Sequence, residues 1–210
     1  MSVMRNDIIN CIIQKYNYKS YLEIGVFHYD CYKFINCELK ECVDPKESAK
    51  ATYIMTSDDF FRQNKNKYGC VFNKYDCIFI DGLHLEQQVL KDIENSLDIL
   101  NDKGTIIVHD CLPENEFEQR DIEKYDDKGT WTGTVWKAFA RLRITRPDLE
   151  MYTVNENNGC GVIRKGKQNC FAPYSSIEKL DYNLYAKNRI QLMNIISFNT
   201  FKNMLEKQNG

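Results

Sequence analysis

The chain has 210 residues, with 28 Lys and Arg against 30 Asp and Glu, 43% apolar and 28% charged, a composition that fits one globular domain and excludes disorder, collagen and coiled coil. A net charge of −2 and a pI near 6.0 give no basic field for a long polyanion, so the expected partner is a small molecule and not nucleic acid. No apolar run approaches the roughly 18–20 residues of a membrane span, and MSVMRNDIINCIIQKY lacks the charged-then-apolar build of a signal peptide. The cytoplasm is the expected compartment. The nine cysteines, without a single C-x-x-C, read there as reduced core thiols.

Residues 1–19 open the chain with an expected helix. Five short runs rich in β-branched and aromatic residues then precede residue 112: Tyr21–Val26, Glu41–Asp44, Thr52–Met55, Cys77–Asp81 and Thr105–His109. Bounded by turn formers and separated by stretches of helical period, they predict a mostly parallel sheet covered by helices. Between the last two, Leu85, Val89, Ile93, Leu97 and Leu100 form one apolar stripe on a helix of about four turns. Asn101–Gly104 reads as the turn that ends it. Residues 112–130 read as an acidic loop over the active site, since Pro113–Lys128 has seven acidic and three basic residues and almost no apolar anchor. That loop is expected to be mobile without a ligand. Helix resumes over Trp131–Leu142. Glu150–Val154 and Gly161–Arg164 flank a connection too short for a helical crossover, so they must be antiparallel neighbours. Residues 175–207 predict two helices that pack back on a single domain spanning 1–210.

In an open parallel sheet, ligands bind at the carboxyl ends of the strands, near the point where strand order reverses. All three histidines, His28, His84 and His109, fall at or just beyond such ends, and imidazole is the common acid or base near neutral pH. Asp44 lies nineteen residues beyond Gly25 at the next strand's end, where a carboxylate can accept both hydroxyls of a ribose. A dinucleotide would further need a G-x-G-x-x-G loop; here the loop reads Gly25-Val26-Phe27-His28-Tyr29-Asp30, which disfavours NAD. A nucleoside joined to an amino acid fits better, with Glu23 and Asp81 as acceptors for its ammonium.

These segments resemble those of class I S-adenosylmethionine-dependent methyltransferases, and more narrowly the small bacterial branch acting on sugars and natural products. YLEIGVF is similar to the family's first motif, CVDPK to its ribose-binding strand end, TSDDFF to the segment beside adenine, CIFIDGLH to its fourth motif and GTIIVHDC to its fifth. The first loop departs from the pattern, with His28 and Tyr29 where a second glycine is common.

The resemblance implies a Rossmann-like, doubly wound, seven-stranded sheet with an antiparallel last strand, helices on both faces and a C-terminal helical extension. It implies S-adenosylmethionine as cofactor, held by Glu23, Gly25, His28, Asp44, Ser57, Asp58 and Asp81. Ser57 and Asp58 alternatively cap the helix Asp59–Gln63. His84 is the first candidate for a general base, with His109 and Asp110 next. A divalent ion on Asp81 and Asp110, two places that related enzymes use for magnesium, is the weaker alternative, because His109 is a poor hard-cation ligand. Trp131 and Thr132 are candidate contacts for an acceptor hydroxyl compound such as a sugar or glycan precursor. A nicotinamide-dependent oxidoreductase and a non-catalytic scaffold are the competing readings, and a homo-oligomer stays open.

Overall fold

The computed structural model describes residues 2–65, 73–126, 128–171 and 180–207. Helix α1 (Arg5–Tyr16) buries Ile8, Ile9, Ile12 and Ile13 and ends where Asn17 turns left-handed at φ 52°. Strand β1 (Ser20–Ile24) pairs in parallel with β2 (Leu39–Val43) on one side and β3 (Tyr75–Ile80) on the other. Strand β4 (Leu100–Val108) continues the parallel sheet beyond β3. Helix α2 (Ser57–Gln63) follows β2, α3 (Glu86–Ile99) connects β3 to β4, and α4 (Val135–Thr145) leads into the hairpin β5 (Leu149–Val154) and β6 (Cys160–Lys165). Helices α5 (Tyr182–Leu192) and α6 (Phe198–Lys207) flank the short strand β7 (Ile195–Ile196).

The sheet order is β2-β1-β3-β4-β6-β5-β7, so strand order reverses between β1 and β3. Alternation along each strand feeds two cores. Leu22, Ile78 and Ile106 pack with Val89, Ile93 and Phe139 on one face, while Tyr21, Phe79 and Ile107 pack with Ile8, Ile12 and Phe201 on the other. Each such burial contributes about 1.5–3 kcal/mol relative to exposure. Both faces are therefore covered, as the seven-stranded, doubly wound reading requires.

Several local expectations are corrected. Thr52–Met55 is not a strand: only Tyr53 bridges to Val43, and the chain turns at Thr56 into α2 before a ladder can extend. Asn101–Gly104 is not a turn but the start of β4, where the register against β3 shifts and Asn101 donates to Asp76. The expected antiparallel strand is present as β6, seated between β4 and β5, and it is followed by a two-residue β7 that pairs in parallel with β5 and is too short for a periodic signal. The fourth helix starts at Val135 and not at Trp131. Two C-terminal helices are present, although residues 175–179 lie outside the described part. The eight described cysteines are all free, and Cys70 lies outside.

The segment after β4 has the anchor that its apolar pattern lacks. Arg120 is buried and donates to the carbonyls of Phe117, Lys128 and Thr130 at 2.9, 2.8 and 3.1 Å, with its guanidinium 3.9 Å from the Phe117 ring centroid. A polar hub of backbone carbonyls around one arginine replaces apolar burial.

Candidate active site

A cavity of about 780 Å3 opens at the carboxyl ends of β1, β2, β3 and β4. Its floor at the reversal point needs a glycine: Gly25 sits at φ 84°, and a Cβ there would lie 2.2 Å from the Asp81 carbonyl oxygen. Asp44, after β2, accepts the amides of Val26 and Phe27 at 3.0 Å each on one carboxylate oxygen and the Lys46 amide at 2.8 Å on the other. The carboxylate expected to meet a ribose thus also folds the loop around it. Those bonds help hold Phe27 at φ 45°, and Tyr29 at φ 64° is fixed through its hydroxyl to the Lys50 carbonyl, so the loop adopts left-handed backbone without a second glycine. His28 is exposed at the cavity's lip.

Glu23 lies on the inner wall, 1% exposed, and accepts the Tyr21 hydroxyl at 2.5 Å. Burial pushes its carboxyl up to about 8, against the opposing effect of the Tyr21 bond, so it holds a proton at neutral pH. Its carboxyl can still accept a hydrogen bond from an ammonium group but brings it no full negative charge. Ser57 and Asp58 line the cavity, and both accept from Gln88 Nε2, at 3.2 and 3.1 Å. The cap of α2 is Thr56, whose hydroxyl accepts the Asp59 amide, so the capping alternative for Ser57 and Asp58 does not hold.

At the other end, Asp81 follows β3, and His109 and Asp110 follow β4. His109 is buried with Nδ1 3.2 Å from Asp81 Oδ1 and 3.3 Å from Asp110 Oδ2, and Nε2 3.2 Å from Asn157 Oδ1. Burial disfavours its charge, but Asp110 and Asp81 outweigh burial and hold it well above the usual imidazole range. With both ring nitrogens facing acceptors, the protonated ring is favoured, and His109 is less available as a base than His84. Burial likewise opposes the charge of Asp81, yet His109 and His84 keep its carboxyl well below the ordinary range.

The His84 ring stands between the same two carboxylates, with Nε2 3.4 Å from Asp81 Oδ1 and Nδ1 3.4 Å from Asp110 Oδ2. These distances exceed good hydrogen bonds, and the buried Nδ1 makes no hydrogen bond among the described residues. Burial lowers its basicity, but Asp81 and Asp110 raise it more, so the net shift is upward from 6.5. The residue does not swing freely: its carbonyl accepts the Thr134 amide at 2.9 Å, its ring stacks on Trp131 at 5.2 Å, and a Cβ on Gly133 would meet its carbonyl at 2.1 Å. Asp110 is left-handed at φ 58° and accepts from Asn158 Nδ2, a strained conformation of the kind that clusters at functional sites.

Trp131 lines the cavity, with Nε1 anchored on the Arg120 carbonyl. Thr132 does not face it: fully buried, it donates its hydroxyl to the Glu118 carbonyl, so its candidate acceptor contact is corrected to a structural one. Oxygen and nitrogen atoms of Asp81, His84 and Asp110 lie within 4.8 Å of one another, a set with the donor chemistry for a divalent transition ion. The sequence reading missed Arg5, whose Nε lies 3.5 Å from Asp81 Oδ2, and the hairpin residues Asn157 and Asn158. No local motif marks Arg5, and Asn155–Gly159 reads in sequence only as a turn.

Residues 34–111 match the sequence model of a family described as a methyltransferase domain. No curated protein matches the sequence. Among solved structures, an O-methyltransferase from Bacillus cereus in complex with SAH is 14% identical, with TM-score 0.57 over 79% of this chain and 82% of that one. The O-methyltransferase TomG from Streptomyces achromogenes, involved in tomaymycin synthesis and solved with SAM, is 10% identical with TM-score 0.56 over 79% and 81%. The SAH-bound methyltransferase PaMTH1 from Podospora anserina is 16% identical with TM-score 0.53 over 80% of both chains. The fold is therefore the Rossmann-like fold of the class I methyltransferases. Within it, the stretch that matches the methyltransferase-domain model runs from before β2 to just past β4 and contributes Asp44, Asp81, His84 and Asp110 to the cavity.

Proposed function

We propose that the protein is an S-adenosylmethionine-dependent O-methyltransferase acting on a small hydroxylated acceptor, with a sugar or glycan precursor as the acceptor class to try first. The observation that carries this reading is the single cavity joining Gly25 and Asp44 at one end to Asp81, His84 and Asp110 at the other. The donor set fits the cofactor: a carboxylate at the end of β2 for ribose hydroxyls, polar groups of α2 beside the base, and an ionised Asp81 for an ammonium group. When bound, the cofactor supplies an electrophilic methyl on sulfur. The chain must then align an acceptor oxygen in line with it and take the hydroxyl proton as the carbon–oxygen bond forms. His84 is the base we assign, because its Nδ1 makes no hydrogen bond among the described residues and the two flanking carboxylates stabilise the proton it gains. Trp131 backs the imidazole and gives the acceptor a flat wall.

A second reading has a specific observation behind it. Asp81, His84 and Asp110 can together hold a divalent ion, which would orient the acceptor oxygen and lower its pKa. EDTA separates the two: the base reading expects unchanged turnover, and the metal reading expects loss restored by added ion. The test of the function itself is transfer of labelled methyl from S-adenosylmethionine to a panel of sugars and phenols. No transfer to any member, together with no cofactor binding, would remove the reading.

A further inference from the structure

The cavity's charges are unevenly matched. Six aspartates line it beside the protonated Glu23; against them stand Arg5 and Lys46 among the described residues, and His109, whose ring is already engaged by Asp81 and Asp110. A cofactor that ends in an amino acid brings one carboxylate into this wall, and an unpaired carboxylate among like charges is strongly disfavoured. Lys46 belongs to the opposite end, with its amide on Asp44 and its ammonium 4.7 Å over the Phe27 ring. Arg5 stands where the need arises. It reaches from the first residue of α1 to the space between Glu23 and Asp81, and it is held by its amide on Asn157 Oδ1 at 3.3 Å. Its guanidinium is incompletely used: Nη1 makes a long 3.4 Å bond to the same oxygen, and Nε is buried without a hydrogen bond, 3.5 Å from Asp81 Oδ2. A forked donor with free capacity, facing a cavity that must accept one carboxylate, is the arrangement arginine serves best.

We infer that Arg5 binds the carboxylate of the cofactor's amino-acid moiety, the task that the glycine-poor loop after β1 leaves open. The inference rests on the cofactor reading above. On it, Asp81 receives the ammonium and Arg5 the carboxylate of one zwitterion, and the existing Arg5–Asp81 pair holds both groups in place before binding.

The test is calorimetry with S-adenosylmethionine and with its decarboxylated counterpart, which keeps adenosine, sulfonium and amine. Arg5→Met should weaken S-adenosylmethionine about 10–100-fold, the range for a hydrogen bond to a charged group, and leave the decarboxylated compound within about 3-fold. Arg5→Lys should recover part of the loss. Equal binding of S-adenosylmethionine by wild type and Arg5→Met would overturn the inference, and so would a parallel loss of both ligands, which would mean that Arg5 acts only by ordering Asp81. Binding of the decarboxylated compound also shows that the variant is folded. A wild-type protein that binds neither compound would remove the cofactor reading and this inference with it.

Discussion

The two ends of the cavity are built on opposite principles. At the β2 end one carboxylate, Asp44, spends its oxygens on three backbone amides and thereby shapes the loop. At the β3–β4 end two carboxylates and two imidazoles crowd together at 3.2–3.4 Å, and the buried His84 Nδ1 makes no hydrogen bond among the described residues. Satisfied backbone bonds make a rigid receptor, whereas charges left incompletely paired in a low-dielectric wall retain the capacity to move a proton. On the proposed reading, the first end binds the nucleoside, and the second holds the amino-acid moiety and carries the proton chemistry.

The largest expected effect breaks the chemical end alone. His84→Ala should lower kcat by about 10²–10⁴, the usual cost of losing a general base, while calorimetric affinity for SAH stays near wild type. A matching loss of affinity would place His84 in binding. At the other end, Asp44→Ala should weaken SAH binding by about 1.5–3 kcal/mol through the lost charged acceptor. Because Asp44 also holds the Val26 and Phe27 amides, hydrogen exchange in that loop should accelerate in the same variant. Unchanged exchange would deny Asp44 its structural half.

Two pH experiments sharpen the contrast. A base works only when neutral, and the His84 shift is upward, so kcat should rise with pH through a midpoint above 6.5. Asp110→Asn removes one of the charges that raise it and should move the midpoint down; an unmoved midpoint would assign the titration elsewhere. Glu23 gives a smaller effect in stability. Its folded pKa of about 8 exceeds its ordinary 4.5, so the native state holds the extra proton between those values, and wild-type stability falls as pH rises through that window. Glu23→Gln cannot titrate and should flatten the decline, as read from urea midpoints at pH 5 and pH 8.

The strand-end carboxylates and histidines were legible in sequence because a parallel sheet delivers such ends to one rim wherever apolar runs alternate with helical stripes. The Asp44 position and the α3 stripe illustrate this. The misreadings share a different cause. Glu23 looks like an anion until its burial is visible, His109 looks like a base until both its nitrogens are seen to face acceptors, and Thr132 looks available until the Glu118 carbonyl claims it. Each depends on a partner distant in sequence or on burial, as do Arg5 against Asp81 and Arg120 against its ring of carbonyls. The Asn101–Gly104 misreading is local in origin: turn-forming residues can equally start a strand when a register shift accommodates them.

The most direct test of the central claim is thermal melting of the wild-type protein with SAH and, separately, with NAD. A ligand selective for the native state raises Tm in proportion to its occupancy. SAH should raise Tm in a saturable manner and NAD should leave it unchanged. A rise with NAD and none with SAH would contradict the assignment of this cavity to an adenosyl amino acid.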